Sequence, residues 1–149
     1  MRYLPLLKET VISGTIASLV MMPFGLMFQY FGQRVGHYGP KLAELLFDHP
    51  NIAIQITQHL IIGWLSTLPL LLILLRLQRY SSPVTFGAIY GLAYYVLINS
   101  LALPFYFGDP TPWQLGFSYI YPSLIIHLVF GASIGFTARK FIARETAKA

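Results

Sequence analysis

Two histidines, His59 and His127, stand inside long uncharged apolar runs, and each opens the same short pattern, His-Leu-x-x-Gly. On a helix, residues three or four apart share a face. Gln55, His59, Gly63 and Ser66 therefore fall along one line, with Gln58 and Thr67 beside it, while Ser123, His127, Gly131 and Gly135 form another. An imidazole set in such a line has three uses. It can hydrogen-bond across a helical bundle, to partners such as Gln29, Gln55, Ser123 or Asn99. It can titrate near neutral pH and serve a proton or polar-solute path. Two imidazoles on facing helices can also ligate a b-type haem. The first use asks least of the sequence, and no charged side chain stands near either histidine to meet haem propionates. No cofactor is therefore the primary expectation, with haem b on His59 and His127 as the alternative.

A second polar group, His37, Glu44, Asp48 and His49, lies between the first two apolar runs. Such side chains can hold a divalent cation, but spread over this interval they read as a solvated face, and no metal ligand is assigned. The absence of cysteine excludes disulfides, thiolate metal sites and a cysteine nucleophile. HExxH, GxSxG, phosphate-binding glycine loops and dinucleotide fingerprints are missing from the sequence, and its serines and threonines show no base-and-acid pairing. The expected role is not enzymatic.

The elements that must position the two histidines follow from composition. The chain of 149 residues is 56% hydrophobic and only 10% charged, against about 25% charged in soluble domains, and its mean hydropathy is +0.62. A helix needs roughly 20 apolar residues to cross a bilayer. Four intervals qualify, giving spans near residues 10–31, 53–75, 84–106 and 117–138, in a single all-α domain of residues 1–149. The first span is too long and lacks the cleavage site of a secretory signal, so it is expected to stay as a membrane helix.

Orientation follows from Lys and Arg. Arg2, Lys8, Arg76, Arg79, Arg139, Lys140, Arg144 and Lys148 fall on one side, and only Arg34 and Lys41 on the other. The positive-inside bias then places both termini in the cytoplasm of a cell inner membrane. A net charge of +5 spread so thinly is not the surface of a nucleic-acid binder. The expected partners are the lipid bilayer and a second copy or a larger membrane assembly. In the first outward loop, Pro40 to Asp48 sets Leu42, Leu45, Leu46 and Phe47 against Lys41, Glu44 and Asp48, which predicts a short interfacial helix. Tyr3, Tyr30, Tyr38, Tyr80, Phe105, Tyr106, Trp113 and Tyr119 mark the expected interfacial belts.

Association of helices inside hydrocarbon depends on close approach and interhelical hydrogen bonds. Gly14 and Ser18, Gly87 and Gly91, and Gly131 and Gly135 are the candidate packing positions, within one bundle or, for Gly131 and Gly135, between two copies. Pro23, Pro69, Pro104 and Pro122 predict kinks or helix ends. A weak internal repeat also emerges. Pro23-Phe24 precedes His59-Leu60-x-x-Gly63 as Pro104-Phe105 precedes His127-Leu128-x-x-Gly131, although the small-residue motifs upstream do not keep register with the prolines. Two similar hairpins running in the same direction would be related by a pseudo-twofold along the membrane normal.

From Gly87 onward, Gly87-x-x-x-Gly91, Pro104, a short polar loop and His127-Leu128-Val129-Phe130-Gly131-x-x-x-Gly135 resemble the small four-helix bacterial inner-membrane proteins of the YagU-like type. The resemblance covers roughly the last 55 residues, and Phe130 stands where that pattern usually has Tyr. It implies a fold and a membrane, and no activity. The functional expectation is an accessory or structural membrane protein, or one that handles a small solute or lipid. The alternatives are haem-based electron transfer and transport of protons or polar solutes through the histidine core.

Overall fold

A computed structural model describes residues 3–77 and 81–148. Arg79 and Tyr80, used above for orientation and the aromatic belt, lie outside the described residues, as does Arg2. Helix α1 runs over Tyr3–Tyr30, α2 over Tyr38–Glu44, α3 over Ile52–Leu77 and α4 over Pro83–Tyr94. A π-helical segment, Tyr95–Ala102, continues α4 into α5, Leu103–Phe107, followed by the single turn α6, Pro112–Leu115, and by α7, Phe117–Thr146. Four of these stretches are long and apolar enough to cross a membrane: α1, α3, the continuous run Pro83–Phe107, and α7. The protein is an all-α, four-helix, multi-pass membrane protein.

Local chemistry sets the helix ends. The Asn51 side chain accepts from the Ile54 N–H at 3.0 Å and starts α3. Ser82 does the same for Thr85 at 3.1 Å, with Pro83 fitting the first turn of α4. Gly108, at φ 67°, ends α5 in the left-handed conformation that glycine tolerates best. The outer spans are longer than the sequence indicated. Nothing breaks the helical pattern between Ala138 and Thr146, so α7 carries Arg139, Lys140 and Arg144 on a helical extension.

The third span is also less regular than expected. Pro104 donates no N–H, and in a regular α-helix its ring would meet the carbonyl of Ser100. The chain widens just before it, so that the Leu103 N–H bonds to Ile98 O, five residues back.

The helices pack in a four-sided array. Helix α7 lies against α4 and α1, and α1 lies against α3; α3 and α4 meet only sparingly. Small residues make the close edges. A Cβ added at Gly87 would collide with the backbone carbonyl of Gly131, one at Gly91 with that of His127, one at Gly131 with that of Gly87, and one at Gly135 with that of Pro83. Gly131 and Gly135 are thus used inside the chain. In the α1–α3 edge, Gly14 faces Thr67 and the Gly63 carbonyl, and Gly63 faces Ser18. Trp64 Nε1 ties the same edge by donating to Thr15 Oγ1 at 2.9 Å.

These contacts align the hairpins by their small residues rather than by their prolines. Gly14, Ser18, Gly63 and Thr67 of the first occupy the places of Gly87, Gly91, Gly131 and Gly135 of the second, and the two glycine-to-glycine intervals differ by only five residues. Val11, Ile16 and Leu19 then align with Val84, Ile89 and Leu92.

The terminal half of the array is filled. Leu6, Leu70, Leu71, Leu74, Phe130, Ile134 and Ile142 form its core. At its upper edge the Tyr90 hydroxyl donates to Ser66 O at 2.7 Å, joining α4 to α3.

Candidate functional site

Above the Tyr90–Ser66 tie, on the side of α2, the array opens into a cavity of about 1830 Å³. Drug-sized pockets span roughly 300–1,000 Å³, so the volume suits a ligand of lipid size. The cavity lies where the α3 and α4 faces fail to meet. On its rim, Ile61 and Leu65 of α3 and Leu97 of the π segment are exposed, and in a membrane they face hydrocarbon.

Both intramembrane histidines line this cavity. His59 sits seven residues into α3 and His127 ten into α7, or about 10 and 15 Å below the helix ends at ~1.5 Å per residue. His127 is buried. Its Nδ1 lies 2.6 Å from Ser123 O and its Nε2 3.1 Å from Asn99 Nδ2. Only one neutral tautomer satisfies both contacts: Nδ1–H donates to the carbonyl, and Nε2 accepts from the amide. Tyr94 stacks on the imidazole at 5.8 Å, and Tyr95 flanks it at 5.7 Å. His59 is half-buried and less committed, with Nε2 3.4 Å from Ser18 O. Donation to that carbonyl leaves Nδ1 of the neutral ring as an acceptor.

Sequence reasoning placed Gln55 and Ser123 beside these rings, and both line the cavity, but neither side chain is the partner. Gln55 Nε2 donates to Pro50 O at 3.3 Å, and Ser123 contributes its carbonyl. The interhelical bond goes to Asn99. The tyrosine wall carried no signal beyond apolar periodicity, whereas Asn99 could be found as the lone side-chain amide of its span. Haem ligation by His127 would go through Nε2, displacing the Asn99 amide while keeping the Nδ1–H bond to Ser123 O. A path across the membrane would have to pass the leucine and isoleucine core below Tyr90.

The α2 end of the cavity is closed by a polar clasp. Lys41 Nζ hydrogen-bonds both carboxylate oxygens of Asp109, at 2.8 and 2.6 Å, and His37 Nε2 lies 3.5 Å from the same carboxylate. The Lys41 ammonium holds the Asp109 carboxyl below the usual carboxylate range, against a smaller opposing effect of desolvation. Tyr38 stacks on Phe107 at 5.8 Å, and its phenol is pushed up by burial first and by the Asp109 charge second. Lys41 also lies 5.4 Å over the Phe107 ring. The short helix expected from Pro40 onward therefore starts at Tyr38 and ends at Glu44, folded over the cavity mouth with Ala43 buried. Gln58 Nε2 holds it from below, donating to Gly39 O at 3.2 Å. His37 turns to Asp109 rather than to Glu44, Asp48 and His49, and among the described residues no cluster of three metal-ligating side chains forms.

No family model matches the chain, and neither a curated protein nor a solved structure matches it.

Proposed function

We propose that this chain is a non-catalytic inner-membrane protein that takes a lipid-like amphiphile sideways from the bilayer into the cavity between α3 and α4. One observation carries the reading: a large cavity, open toward hydrocarbon at Ile61, Leu65 and Leu97, ends on polar groups rather than on a packed core. Hydrocarbon cannot solvate such groups, so a ligand bearing its own polar head gains hydrogen bonds there that a bare acyl chain does not. The excess of Lys and Arg beside the termini supports a cytoplasmic location for both and puts the cavity in the outer half of the bilayer. The resemblance to YagU-like proteins is consistent with that membrane.

Native mass spectrometry from mild detergent tests the reading. Wild-type protein should retain a lipid-mass adduct, and Ala93→Trp, which fills the cavity wall at an exposed position, should lose it. Equal retention by both, or a bare wild-type protein, overturns the proposal. The natural chain has no cysteine, so a single Leu46→Cys variant in intact cells reports orientation: labelling by a membrane-impermeant maleimide is expected, and protection reverses the assignment.

A further inference from the structure

The deep end of the cavity specifies more than a lipid. Its charged lining residues, Arg34, Lys41 and Asp109, belong to α2 and the loops beside it, and Lys41 and Asp109 already neutralise one another. Around His59 and His127 the lining is uncharged. A formal charge that far inside a bilayer is costly without a counter-charge, so the head group that binds there is neutral. What the protein offers it is a set of unused hydrogen-bonding capacities. Asn99 gives one amide hydrogen to His127, which leaves its second N–H and its Oδ1 without a partner among the described residues. The free nitrogen of His59 adds an acceptor. The wall is aromatic, with Tyr90, Tyr94 and Tyr95 all on the lining and Tyr94 already stacked on the His127 ring. Flat rings pack on such a wall with a geometric preference that branched or spherical heads lack.

A neutral head, carbonyl or hydroxyl groups on a planar ring, and a long tail leaving between α3 and the π segment together describe a quinone or quinol of the isoprenoid type. We propose that the cavity binds this class, with the Asn99 amide donating to a ring carbonyl and His59 Nδ1 accepting from a ring hydroxyl in the reduced form. Binding alone is inferred, with no redox step. The inference rests on the lateral-entry reading above and narrows it.

The test uses the full chain in phosphatidylcholine nanodiscs titrated with decylubiquinone, followed by quenching of tryptophan fluorescence. Trp113 lies 6.5 Å from the Tyr95 ring and serves as the reporter. Saturable binding of one quinone per chain is expected. Asn99→Leu and His59→Leu should each weaken it by roughly tenfold or more, with thermal melts close to that of wild type. His59→Leu remains informative if Asn99→Leu fails to fold, because it removes only one contact of 3.4 Å. Phospholipid retention without saturable quinone binding overturns the quinone assignment and leaves the lipid reading standing. Quinone affinity unchanged in both variants also overturns it. Loss of both phospholipid and quinone from the wild-type protein removes the two readings together.

Discussion

The two hairpins share a plan and differ in what lies between their helices. In the α4–α7 hairpin both faces are glycine, so carbonyl meets Cα directly along Gly87, Gly91, Gly131 and Gly135. In the α1–α3 hairpin two of the four equivalent places hold hydroxyl side chains, Ser18 and Thr67, and the helices are separated by side-chain atoms that can turn. The consequence reaches the site. Backbone packed on backbone fixes α4 against α7 and aligns Asn99 and Tyr94 with His127. Its counterpart leaves His59 half-buried, on one long contact to Ser18 O. A second asymmetry produces the cavity. The α1–α7 edge is closed, while the α3–α4 edge across the array from it is joined chiefly at Tyr90 and Ser66.

The sharpest way to break this comparison is to add one methyl group to each hairpin. Gly131→Ala places a Cβ on the Gly87 carbonyl, which cannot rotate away, and should lower stability by about 3 kcal/mol in detergent unfolding. Gly63→Ala meets the Ser18 hydroxyl, which can rotate, and should cost about 1 kcal/mol in the same assay. Equal losses would show that the seams do not differ as described. Asn99→Leu removes the one side-chain bond from the third span to His127; interhelical bonds of this kind in membranes average about 0.6 kcal/mol, so a thermal melt should move little. A shift as large as that of Gly131→Ala would make the amide a structural rivet.

The smallest expected effect is at the clasp. The folded state holds the Asp109 carboxyl below its ordinary value of 3.8, so its pairing with Lys41 stabilises the fold above that pH and is lost as pH falls through the lowered value. Melting temperatures of wild type and Asp109→Asn should therefore differ slightly at neutral pH and converge in strong acid. A difference that grows on acidification contradicts the pairing.

Spans, helix count and the small-residue seams were legible because each depends on local composition or on spacing along a single helix. His59 and His127 stood out because an ionisable ring in hydrocarbon is conspicuous. What could not be read is relational. The prolines proposed a repeat register that the contacts do not use, since a proline acts on its own helix while Gly14 and Gly63 must meet each other. The cavity follows from an interface that is missing, and no residue type announces one. Asn99 could be read as a candidate partner, but its selection over Gln55 depends on which helix α7 packs against, and Gln55 is held by Pro50 O.

The Tyr90–Ser66 tie has an electrical consequence. With the Lys41–Asp109 clasp opened, water reaching His59 would bring the potential of the α2-side solution to that depth, and most of the transmembrane voltage would then fall across the filled half below the tie. The leucines and isoleucines of that half act as the dielectric of a thinned capacitor. A charge introduced at His59 would sense only a small part of the membrane field, whereas one introduced at Leu70 would sense much of it.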